Sequence, residues 1–170
     1  RFPDPDAIRG SLLTLCEDQG IRGTLLLARE GINGTIAGPP DGIDAVIAHI
    51  RTLPDCTGLE VKFATADAMP FHRLKVRLKK EIVTLGDAGA DPTRQVGTYV
   101  DAREWNALIA APDTLVLDTR NAFEVAMGTF EGAVDPGIRS FGQFKDFAAR
   151  HLDPAKHQRI AMFCTGGIRC

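Results

Sequence analysis

The run from Met162 to Cys170, MFCTGGIRC, sets a cysteine, two glycines, an arginine and a second cysteine behind an apolar stretch. Glycine lets a backbone curl tightly. The N–H groups of Thr165, Gly166, Gly167 and Ile168 can therefore converge on the Cys164 sulfur and stabilise a thiolate, or an anion attached to it. Arg169 adds a fixed positive charge beside that loop, suited to an anionic substrate. The chemistry on offer is nucleophilic or group-carrying catalysis at sulfur. The same residues also fit a buried structural cysteine in a glycine turn with a solvated arginine. Cys170 stays open between a resolving thiol for Cys164, a structural residue and the start of a helix. Cys16 and Cys56 are read as core or surface residues without a role.

A second chemical feature is the stretch FHRLKVRLKKEIVTLG, Phe71 to Gly86. Leu74, Val76 and Leu78 alternate with Arg73, Lys75, Arg77 and Lys79, so a strand would put the two sets on opposite faces. The decamer Phe71 to Lys80 has five Lys or Arg residues and no acidic one, in a chain of formal net charge −2. Such a stripe is what a phosphate-backbone binder presents. It equally fits a solvated strand face whose lysines discourage edge pairing. The stripe lacks stacking aromatics, which favours contact with RNA backbone over base readout. The four histidines form no metal-spaced cluster, Glu30 reads as a plain turn residue, and no flavin, haem or metal motif is visible.

The elements that must position these residues fall into two groups. Asp6 onward reads as a helix with Ile8, Leu12, Leu15 and Cys16 on one face, ended by Gly20. Ile21 to Ala28 is strand-like, Gly31-Ile32-Asn33-Gly34 reads as a turn, and Thr35 to Ala37 returns antiparallel. Pro39-Pro40-Asp41 opens a helix in which Ile43, Val46, Ile47 and Ile50 recur at helical spacing. Leu59, Val61 and Phe63 alternate as in a half-buried strand. This order predicts an α+β ferredoxin-like (acylphosphatase-like) domain over residues 1–86, whose first strand would lie at or before Arg1-Phe2. Residues 87–97, with two glycines and a proline, read as a linker.

From residue 98 to 170 the pattern changes. Asp101 and Glu104 make a capping-box start to a helix carrying Trp105, Leu108 and Ile109. Thr114–Asp118 is a short buried strand, Ser140–His151 is helical with Phe144 and Phe147 inward, and Arg159–Phe163 is a further strand. Alternating strands and helices predict a parallel α/β sheet, with its active site beyond the carboxyl ends of the strands. Cys164 occupies that place.

Composition narrows the class. No apolar run approaches the ~20 residues of a membrane-spanning helix. Four cysteines are too few for a disulfide framework, so a reducing cytoplasm is the expected location and no membrane partner is expected. The chain begins with Arg1 rather than Met, which together with the missing first strand reads as truncation.

Four residues separate Cys164 from Arg169, a ring short enough to fit one extra sulfur atom. FCTGGIR resembles a rhodanese active-site loop, and VLDTRNAFEVAMGTFEGAV, Val116 to Val134, resembles the rhodanese segment in which an acidic residue and an arginine end a strand. That likeness implies a persulfide on Cys164, with Asp118 and Arg120 supporting the loop. LAREGINGTIAG (Leu27 to Gly38), VGTYVDAREWN (Val96 to Asn106) and CTGGIRC together resemble the rhodanese-domain tRNA uridine hydroxylases. The resemblance covers essentially the whole chain. It implies an α/β rhodanese-like second domain, incomplete at its C-terminus, and oxygen-dependent hydroxylation of the wobble uridine at C5. It implies molecular oxygen as co-substrate, the anticodon arm of tRNA as partner, and a sulfur donor, either protein or small molecule. A plain sulfurtransferase rests on the Cys164 loop alone, and a non-catalytic RNA-binding module on the basic strand alone.

Overall fold

The computed structural model describes residues 2–169 apart from 88 and 93. It divides into two compact units, Arg1–Ile82 and Val83–Cys170. No helix among the described residues is long and apolar enough to cross a membrane.

The first unit runs helix, strand, strand, helix, strand: α1 (Pro5–Asp18), β1 (Arg22–Ala28), β2 (Gly31–Ala37), α2 (Pro40–Arg51) and β3 (Leu74–Leu78). Asp4 caps α1, its carboxylate accepting the N–H groups of Asp6 and Ala7 at 3.1 Å each. Val46, Ile47 and Ile50, three of the four apolar positions spaced through α2, are buried. The sheet order is β2-β1-β3, with β1 antiparallel to β2 and parallel to β3. Leu25 and Leu27 of β1 and Val76 of β3 join Phe2, Leu12, Cys16 and Val46 in one core. Burial pushes the Cys16 thiol up to about 11, so it stays protonated at neutral pH.

Two expectations are corrected here. The turn is Arg29-Glu30, because Ala28 pairs directly with Gly31 and the segment Gly31–Gly34 lies inside β2. Gly34 is there for closeness: a Cβ at that position would sit 2.1 Å from the Thr24 carbonyl oxygen. Glu30 also has a partner, its carboxylate accepting the Ile82 N–H. The second correction is the last strand, which comes from the basic stretch and not from Leu59–Phe63. That segment enters no ladder, and Phe63 is 72% exposed. Leu74–Leu78 wins the edge of β1 because Val76 drops into the core, and its carbonyl accepts the Arg9 Nε–H of α1 at 3.0 Å.

Residues 83–101 contain no helix or strand among those described. The second unit then has α3 (Ala102–Ala110), β4 (Thr114–Asp118), the short α4 (Ala122–Val125), a 3-10 turn at Phe141–Gln143 leading into α5 (Phe144–His151), and β5 (Arg159–Phe163). The Asp101 carboxylate accepts the Arg103 and Glu104 N–H groups, and Glu104 accepts the Asp101 N–H, which completes the capping box. Strands β4 and β5 are parallel, and an isolated parallel bridge joins Leu117 to Val134. Phe144 and Phe147 are half-buried and stack on each other, with ring centroids 6.1 Å apart.

Candidate active site

In the register of β4 and β5, Asp118 lies opposite Phe163, so the residues that follow each strand leave the same end of the sheet. The backbone N–H and hydroxyl of Thr119 both donate to the Phe163 carbonyl, at 3.0 and 2.9 Å. They fix the peptide that precedes Cys164. This is a site beyond the carboxyl ends of parallel strands, where backbone and side chains converge.

Asp118 is fully buried. It accepts the backbone N–H of Arg120 at 3.0 Å, the Arg120 Nε–H at 2.9 Å, an Nη2–H at 2.7 Å and the Thr129 hydroxyl at 2.8 Å. Burial alone would raise this carboxyl, but the donors from Arg120 and Thr129 outweigh it and hold the group below the usual carboxylate range. Arg120 also donates from Nη2 to the Gly128 carbonyl at 2.6 Å, and its guanidinium carbon lies 5.5 Å from the centroid of the Phe163 ring. The pair Asp118 and Arg120 thus stands beside the loop, joined by two parallel charge-assisted bonds.

Cys164 is half-buried. The Arg169 N–H points at its sulfur from 3.5 Å. Gly167 adopts φ +74°, a conformation that favours glycine, and its carbonyl accepts the Tyr99 hydroxyl at 3.4 Å. An open cavity of about 420 Å³ begins at Cys164, with Phe163, Phe130, Arg120 and Thr129 around it.

The Arg169 guanidinium is engaged. Its two terminal nitrogens donate to the two oxygens of Glu124, each at 2.7 Å, and one reaches Thr165 Oγ1 at 3.2 Å. The Thr165 hydroxyl itself donates to Glu124 at 2.7 Å. The Arg169 bonds hold the Glu124 carboxyl down to about 2, from a usual 4.5. Sequence reasoning missed Glu124. The available signal was the capping spacing Asn121-x-x-Glu124, and the Glu124 carboxylate does accept the Asn121 N–H at 3.0 Å. Nothing local pointed to its second partner, 45 residues away. Thr129 and Phe130 were missed as well.

A depressed carboxyl contributes stability that is present above its ordinary pKa and lost as pH falls through the folded value. Glu124 should therefore stabilise the second unit on the order of 2 to 3 kcal/mol above about pH 4.5, and this should vanish on acidification towards pH 2. Glu124→Gln should lower the urea midpoint at pH 7 and flatten its dependence on pH between 5 and 2.5. Parallel pH profiles for the variant and the parent would contradict that.

Of the basic stripe, Arg73, Arg77 and Lys79 are exposed and Lys75 is half-buried. The residues flanking β3 also bond to β1: the Arg73 carbonyl accepts from Gly23 and the Lys79 N–H donates to Leu27. Cys170 lies outside the described residues, as does Arg1. Among the described residues no group of three or more His, Cys, Asp or Glu side chains is placed to hold a metal ion.

Residues 1–82 match the model of a family described as the UPF0176 acylphosphatase like domain. A protein of Bradyrhizobium diazoefficiens named tRNA uridine(34) hydroxylase is 73% identical over 174 residues, spanning 99% of this chain and 68% of the relative. A Nitrobacter hamburgensis protein of the same name is 64% identical over 99% of this chain and 68% of its own length. One from a Jannaschia species is 61% identical over the whole of this chain and 56% of its own. Identity of this level along both units leaves one conclusion: the chain belongs to the tRNA uridine(34) hydroxylases, a family of enzymes.

Proposed function

We propose that this chain hydroxylates C5 of the wobble uridine of tRNA, with a rhodanese-like second domain supplying Cys164 as the reactive sulfur, either a thiolate or a persulfide. The observation that carries this reading is the position of Cys164. It follows a parallel strand, faces the Arg169 N–H and opens on a cavity of about 420 Å³, in a chain with named relatives along its whole length.

Replacing C5–H by C5–OH withdraws two electrons from the base. Molecular oxygen accepts four on going to water, so an external two-electron donor supplies the other pair. Sulfur adds to C6, which raises electron density at C5 for attack on oxygen and gives a C5 peroxide. The two electrons of the external donor, with two protons, cleave the O–O bond of that peroxide to leave C5–OH and water. Loss of the C5 proton and departure of the sulfur then restore the ring. Asp118 and Arg120 brace the start of the loop. Arg169, clasped by Glu124, holds its N–H against the sulfur, with Thr165, Gly166, Gly167 and Ile168 as the loop backbone. If a persulfide is the working form, a sulfur donor loads it.

Nucleoside mass spectrometry of tRNA tests the reading. A strain lacking the gene should regain 5-hydroxyuridine at position 34 when the enzyme is restored; absence of that nucleoside with the protein expressed would refute it.

Arg73, Lys75, Arg77 and Lys79 of the first domain are proposed to contact phosphates of the anticodon arm. Replacing two of them with glutamine should weaken tRNA binding and lower the slope of log affinity against log salt by roughly 2. Folding should change by no more than about 0.5 kcal/mol. Filter binding across a salt series would show it, and an unchanged slope would make the stripe a solvated face.

A further inference from the structure

The cavity beside Cys164 has two unlike walls. One is aromatic: Phe130 and Phe163 meet edge to face with centroids 4.8 Å apart, and Trp105 supports both, at 5.5 and 5.8 Å. Phe130 nevertheless remains 43% exposed, so part of its ring faces open space at the rim of the cavity. The other wall is polar. Arg120 uses Nε and Nη2 on Asp118 and Gly128, which leaves its Nη1 with no hydrogen bond among the described residues. The bonds to Asp118 hold that guanidinium still, so its remaining N–H groups are oriented in advance.

We propose that this cavity is the subsite for the turned-out pyrimidine ring, with the base stacked on Phe130 and a ring carbonyl oxygen accepting from Arg120 Nη1. The inference rests on the uridine-hydroxylase reading and deepens it. A flat heterocycle with exocyclic carbonyls matches an exposed aromatic face next to a fixed donor, and every base has such a face. The cavity volume of about 420 Å³ leaves room for a nucleoside. Contact with Arg120 also places the donor where negative charge gathers once sulfur adds to the ring. That is a task the Arg169 guanidinium, held by both oxygens of Glu124, is less able to perform.

Phe130 is the residue to vary, because a packing role and a stacking role separate there. Phe130→Leu retains apolar bulk against Trp105 and Phe163 but removes the ring face, whereas Phe130→Tyr retains the face. With the purified enzyme and an anticodon stem-loop as probe, Phe130→Leu should raise KM or lower kcat/KM about tenfold, within the range expected for loss of one base stack, and Phe130→Tyr should stay within about twofold of the parent. A stem-loop carrying 4-thiouridine at the wobble position, irradiated in the complex, should crosslink to a peptide containing Phe130 or Phe163. Leucine performing as well as phenylalanine, or a crosslink confined to other peptides, would overturn the subsite. A parent enzyme that makes no 5-hydroxyuridine would instead overturn the functional reading beneath it.

Discussion

Cys164→Ser enzyme is expected to leave tRNA without 5-hydroxyuridine at position 34, a fall of at least about a thousandfold in the modification rate. A serine hydroxyl is close in size to the thiol, so the Arg169 N–H and the loop around it remain served. At neutral pH, however, a hydroxyl is a far weaker nucleophile and carries no sulfur. The variant should bind tRNA like the parent and melt at the same temperature, because Cys164 is half-buried rather than part of the core. Mass spectrometry of digested tRNA from a complemented deletion strain measures the product, and gel shift measures binding. Normal 5-hydroxyuridine in that strain would remove sulfur from the mechanism and leave the loop as a scaffold. Cys170→Ser, assayed in the same way, tests the resolving role separately.

Asp118→Ala should have the largest effect on stability, about 3 kcal/mol or more. The carboxylate it removes is fully buried and satisfies four donors at once: the Arg120 backbone, two guanidinium nitrogens and the Thr129 hydroxyl. What remains is a guanidinium with most of its surface covered and its directly bonded carboxylate gone, which costs more than the lost pair itself contributed. A domain stable by only 5–15 kcal/mol or so feels such a change strongly. Trp105 is the only tryptophan in the chain and lies in α3 of the second unit, so its fluorescence in urea reports this unit. A loss below about 1 kcal/mol would show that Arg120 finds water as readily as it finds Asp118.

Much of the frame could be read from residue spacing, because the signals were local. Ile43, Val46, Ile47 and Ile50 declare α2, Asp101 and Glu104 declare the start of α3, and the apolar runs ending at Asp118 and Phe163 declare two parallel strands. The errors came where one local pattern had two physical uses. Glycine and asparagine crowd turns, so Gly31–Gly34 looked like one; in fact Gly34 is small to let β2 pass close to the Thr24 carbonyl. The alternation of Leu59–Phe63 matched a strand, but a strand also needs a neighbour, and that requirement leaves no trace in the segment itself. The candidate site was half legible. Cys164 and Arg169 share one loop, so their proximity could be read from spacing, whereas Asp118 and Arg120 entered only through the rhodanese resemblance, and the structure sets them at the neighbouring strand end. Glu124 and Phe130 act across folds of the chain, Glu124 on an arginine 45 residues away and Phe130 on a ring 33 residues away. No periodicity records such meetings.

The Glu124 carboxylate accepts the Asn121 N–H at the start of α4 and also clasps the Arg169 end of the loop. One side chain is therefore both the cap of a short helix and the anchor of the sulfur-bearing segment. For protein engineering this means that the hexapeptide from Cys164 to Arg169 is not a portable cassette. Grafted into another α/β scaffold without an acidic residue at the matching helix start, it would arrive with its arginine untethered and its backbone donor no longer trained on the sulfur. A faithful transplant has to carry both segments, Asn121–Val125 and Cys164–Arg169, and keep their spacing across the two strands that bring them together.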